Sequence, residues 1–103
     1  LNKSFRFDAN DQDAIVGVTD VADLLVGSFE ISPGAYTWST AVLTVVYANG
    51  LGGWSAYPSA ATLTTTARNS GRLDLSWVGL IALKVTTPEG SSKPFEGAFN
   101  GHA

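Results

Sequence analysis

What constrains this chain most is its punctuation. Short runs rich in Val, Leu, Ile, Thr and aromatic residues follow one another, and Gly, Pro, Asn, Asp or Ser separates them. The runs span residues 4–8, 14–18, 23–31, 37–47, 54–57, 61–67, 72–76, 78–87 and 95–99. Apolar residues alternate within them, as in Phe5 and Phe7, or Gly27, Phe29 and Ile31, or Ile81, Leu83 and Val85. A period of two sets alternate side chains on one face of a strand. Strands this short, with turn signals every 8–12 residues or so, lead to a β-sandwich or a small barrel. The expected fold is therefore all-β: an antiparallel, jelly-roll-like β-sandwich of about seven or eight short strands, with residues 1–103 as a single domain.

The longest run is 37–47. Ala41, Leu43, Val45 and Tyr47 share one face, and Val42, Thr44 and Val46 share the other. Apolar residues on both faces mark a central strand, or a strand whose outer face meets a partner. Pro33-Gly34 fits a type II turn, and Asn49-Gly50 is a turn signal as well. Pro58 and Pro94 fall near strand ends, where they stop a ladder from growing. Residues 68–71 and 88–92 read as turns, the second as a surface turn without mechanistic content. The one helical signal is Asp20-Val21-Ala22-Asp23-Leu24-Leu25, enough for a short turn capped by Asp20.

Charge narrows the function classes. Only 15% of residues are charged, against about 25% in an average domain, and the net charge is −3. Six Lys and Arg are scattered without clustering, so the basic patch of a nucleic-acid binder is missing. No apolar run approaches the ~20 residues of a membrane span. The N-terminus, Leu1-Asn2-Lys3-Ser4, does not read as a signal peptide. With no methionine in the chain, the encoded start is expected to precede Leu1. So neutral a surface suits a protein partly covered by neighbours, because isolated domains carry more charge for solubility.

Catalysis is not expected. The chain has no cysteine, and its one histidine, His102, lies next to the C-terminus, where an imidazole is poorly held for a catalytic triad. One His without Cys is also a poor start for a zinc site. Asp8-Ala9-Asn10-Asp11-Gln12-Asp13 clusters oxygens as a calcium loop does. Yet Asp13 stands where the sharp turn needs Gly, and Thr19 stands where the bidentate Glu belongs. A solvated turn is the expectation, with Asp8, Asp11 and Asp13 the candidate ligands should a cation bind, and no cofactor is expected. Among the aromatics, Tyr47, Trp54 and Tyr57 flank Asn49 and a group of glycines. Rings in such a place either seal the end of a sandwich, stack on a sugar, or dock a protein neighbour. Trp77 is expected to cover the core.

The order Trp38-Ser39-Thr40-Ala41-Val42-Leu43-Thr44-Val45, Asn49-Gly50, Gly53-Trp54, the Thr-rich stretch 62–66, Leu73-Asp74-Leu75 and Ile81-Ala82-Leu83-Lys84-Val85-Thr86-Thr87-Pro88-Glu89-Gly90 resembles small β-sandwich virion proteins of tailed bacteriophages. These are decoration, cement or minor structural proteins, and the likeness spans roughly residues 20–100. It implies a non-enzymatic homotrimer on the capsid exterior, bridging copies of the major capsid protein or another virion protein. Residues 1–8, with Phe5 and Phe7, would serve as an N-terminal arm or an added strand on a neighbour, or else pair within their own sheet. Tyr47, Trp54 and Tyr57 would form the second contact. The alternative is a carbohydrate- or receptor-binding domain of a tail fibre or a secreted enzyme, with a glycan as partner. A neck or tail-tube component is a third.

Overall fold

The computed structural model describes residues 1–32, 38–59, 61–90 and 94–103. Among the described residues there are nine strands and no helix: β1 (Asn2–Asp8), β2 (Ile15–Asp20), β3 (Val26–Ser32), β4 (Val42–Ala48), β5 (Trp54–Ala56), β6 (Thr62–Leu63), β7 (Leu73–Asp74), β8 (Leu80–Thr87) and β9 (Pro94–His102). They form two antiparallel sheets. Sheet A runs β1-β9-β3-β7; sheet B runs β2-β8-β4-β5, with β6 also on β4. Consecutive strands thus alternate between sheets through most of the chain, which is jelly-roll topology. The ninth strand arises because one edge position is split. Tyr57 N–H donates to Val45 O and Val45 N–H donates to Ala61 O, so β5 and β6 are two pieces of one edge strand along β4. Pro58, which has no N–H, begins the break.

The inner faces carry the residues that alternation assigns to them. Gly27, Phe29 and Ile31 of β3, Leu43 and Val45 of β4, Ile81, Leu83 and Val85 of β8, and Phe95 and Phe99 of β9 are buried. Rings run along sheet A in one contact series, Trp38–Phe95–Phe7–Phe5–Phe29–Phe99, with centroids 5.0–6.1 Å apart. Each fully buried ring contributes about 1.5–3 kcal/mol. Glycines make the room. A Cβ on Gly97 would lie 2.4 Å from the Phe5 ring, and one on Gly17 would lie 2.8 Å from it. Gly17 also has φ of +66° at a register shift in β2, so it serves both the bulge and the close approach.

Two local expectations change. The run from Trp38 joins the ladder only at Val42. Trp38 Nε1 donates to Ala41 O at 2.7 Å, and the N–H groups of Ser39, Thr40 and Ala41 are taken by the Glu89 carboxylate at 2.6–3.2 Å. Glu89 is accordingly not a surface-turn residue. It is 6% exposed and ties the β8–β9 connection to the segment before β4. The segment after Asp20 makes a single turn: Asp20 Oδ1 accepts from Ala22 N–H, Leu24 N–H donates to Val21 O, and Leu25 N–H then turns to His102 O. The Pro33-Gly34 turn lies outside the described residues.

Candidate functional site

The two outer faces of the sandwich differ in chemistry. On sheet A, alternation and register set Ser4, Arg6 and Asp8 of β1 beside Glu96 and Asn100 of β9 and Ser28, Glu30 and Ser32 of β3. Arg6 and Glu96 pair at 3.6 Å. On sheet B the outward residues are Val42, Thr44, Val46 and Ala48 of β4, Trp54 and Ala56 of β5, and Leu80, Ala82, Lys84 and Thr86 of β8. Among the described residues its charged groups are Lys84, paired with Asp13 at 3.5 Å, and Asp20 at a corner. Val46 and Ala82 are buried on this face, outside the inner core. The register pairs Trp54 with Ala48 and sets it beside them, half-buried.

Sheet B therefore divides the three rings flanking the Asn49 turn. Trp54 faces outward. Tyr47 and Tyr57 face inward, where both meet Trp77, at 4.8 Å edge to face and 5.6 Å stacked respectively. Trp77 covers Tyr57 and Tyr47 as a lid would, yet is 46% exposed. The turn itself is built by one side chain. Asn49 Oδ1 accepts from Leu51 and Gly53 N–H, and Nδ2 donates to Ser55 Oγ, which leaves Leu51 outside in solvent at the tip.

Tyr57 also closes the far edge. Its hydroxyl accepts from Asp74 N–H at 2.7 Å and donates to Asp74 O at 3.1 Å, filling the outward backbone groups of β7. Beside this link lies a groove of about 570 Å³ lined by Leu25, Tyr57, Ser59, Arg72, Asp74 and Ser76 among others. The Ser76 N–H bond holds the Asp74 carboxyl below the usual carboxylate range, with Arg72 adding to the effect. Neither Arg72 nor Asp74 stands out in a strand-by-strand reading; the Asp74-Leu75-Ser76 spacing, which suits a side chain capping its own turn, was the available signal.

The remaining sequence candidates separate. Phe5 and Phe7 lie on the inner face of β1, which pairs from Asn2 to Asp8 with β9 of the same chain. Asp13 faces Lys84, and among the described residues no three carboxylate or imidazole groups gather as a metal site. His102 is exposed on β9, fixed through its backbone to Leu25 and Val26.

No protein-family model matches the chain, and no curated protein matches it significantly by sequence. Among solved structures, the fold is shared with the crystal structure of SPBc2 prophage-derived protein YomS. The TM-score is 0.62 over 96% of this chain and 93% of that one, at 8% identity.

Proposed function

We propose that this chain is a phage-encoded, non-enzymatic structural protein of the virion, which decorates the exterior of a tailed-phage capsid and bridges neighbouring capsid subunits through the outer face of sheet B. The observation that carries the reading is the asymmetry of the sandwich: sheet A presents charged and polar side chains, whereas sheet B presents Thr, Ala, Val, Leu80 and Trp54. Depletion of charge together with an outward aromatic, here on the edge strand, fits the composition of an interface. The fold shared with a prophage-derived protein over nearly the whole chain supports the phage setting. Weak contacts repeated by symmetry add through avidity, so a small neutral face suffices on a capsid lattice.

The test is sedimentation with assembled capsids of the phage that encodes the chain, alongside light scattering of the protein alone. Binding in a fixed ratio to capsid subunits is the expected result, with a trimer of about 32 kDa from the 10.8 kDa chain. Replacing Trp54 with Ala should weaken capsid binding by about 2 kcal/mol or more, roughly 30-fold, as at an interface hot spot. Capsids that pellet without the protein would end the reading.

A further inference from the structure

The groove beside Tyr57 lies where both sheets end, sheet A in β7 and sheet B in β5 and β6. We propose that it is a binding site for a neutral oligosaccharide, with Asp74 and Arg72 as the hydrogen-bonding pair and Trp77, which stacks on the lining residue Tyr57, as the ring offered to the sugar. Its volume falls within the range of roughly 300–1,000 Å³ usual for small-ligand sites. The lining decides the ligand class. An anion meets the Asp74 carboxylate, a cation meets the Arg72 guanidinium, and a wholly apolar ligand strips water from both charges and returns no hydrogen bond. Sugar hydroxyls donate to the carboxylate and accept from the guanidinium, so one ring serves both groups.

The apolar side of a sugar also finds its surface. Leu25, 60% exposed, forms part of the wall, and Trp77 follows Ser76 in the chain and stacks on Tyr57 with nearly half its surface open. The amphipathic indole suits a ligand with one apolar and one wet side. The site is also held in place. Ser76 N–H fixes the Asp74 carboxylate at 3.0 Å. Ser59, at the groove, has φ of +78°, a left-handed conformation unusual for a residue other than glycine and of the kind that gathers at ligand clamps. A peptide adding as a further strand is the wrong occupant, because Tyr57 already fills the N–H and C=O of Asp74 at this edge. Arg72 also borders a shallower groove of about 250 Å³ with Ser28, Asn69, Asn100 and His102, where a second sugar unit meets amide and hydroxyl partners.

The inference does not depend on the capsid reading, because the groove opens at the β7 edge and the docking face is the outer side of sheet B. The test is a heteronuclear NMR titration of the full chain with chitotetraose, maltotetraose, mannotetraose and galactotetraose, with an anionic chondroitin sulfate tetrasaccharide as contrast. At least one neutral sugar is expected to shift the backbone amides of Arg72, Asp74 and Ser76 and the indole N–H of Trp77. Asp74→Asn and Arg72→Ala, both at exposed positions, should each weaken that binding about tenfold or more while resonances away from the groove stay as in the parent, which shows that the fold is kept. The proposal is overturned if no neutral sugar shifts these resonances, if only the anionic sugar does, if the shifts map to another surface, or if both variants bind like the parent.

Discussion

A carboxylate removed from water has to be given back its hydrogen bonds, and Glu89 receives them from three consecutive peptide N–H groups at residues 39–41. Replacing it with Gln removes the charge that strengthens these bonds and turns an amide NH2 toward Ser39 N–H in place of Oε2. We expect Glu89→Gln to lower stability by about 1–3 kcal/mol in urea unfolding, with an unchanged m-value. Nothing local in Pro88-Glu89-Gly90 announces this role. The partners lie 48–50 positions away, so a polar residue in a turn-like tripeptide reads as solvated until the fold brings the segments together. Asp74 is the opposite case, exposed and held by its neighbour Ser76. Its folded pKa lies below the unfolded value near 3.8, so its ionised form favours the native state above pH 3.8 and that contribution fades as pH falls through the folded value. The stability difference between the parent and Asp74→Asn should accordingly be constant at neutral pH and shrink below pH 3.8, which unfolding curves across an acid series will measure.

At the scale of elements, the strands were legible because alternation is a one-dimensional signal. Each of the nine runs overlaps an observed strand, and the inner residues of β3, β4, β8 and β9 are those the pattern assigns. Strand ends were less legible, since they depend on which backbone groups are claimed elsewhere, as at Ser39–Ala41. The placement of the aromatic rings was half legible. Positions 54 and 57 differ by an odd number, so a continuous strand sends them to opposite faces, and the grouping of Trp54 with Tyr57 overlooked that parity. For β1, the geometry makes a sharp prediction. Phe5 fits only because Gly97 has no side chain, so Gly97→Ala should destabilise the fold by about 1–3 kcal/mol through overpacking. Phe5→Ala should cost about 2–4 kcal/mol. The double variant should cost less than the sum of the two single variants, a coupling that a thermal-unfolding cycle reads directly.

At the scale of the whole molecule, jelly-roll topology gives a thin sandwich two unlike outer surfaces, and the neutral one is the surface we assign to docking. Low overall charge was visible in the composition; its concentration on one side required the register between β4, β5 and β8. Trp54→Ala should leave the unfolding free energy within about 1 kcal/mol of the parent, because the ring stands outside the inner core, while it reduces assembly. Denaturation and sedimentation on the same variant separate the two effects. The topology also sets when the molecule can form. β9 lies between β1 and β3, so the first strand has no neighbour in its sheet until residues 94–102 have been synthesised. On the ribosome, Phe5 and Phe7 therefore wait without a strand partner through nearly the entire translation of this stretch. Such a nascent chain is a natural client for a chaperone that holds extended apolar segments.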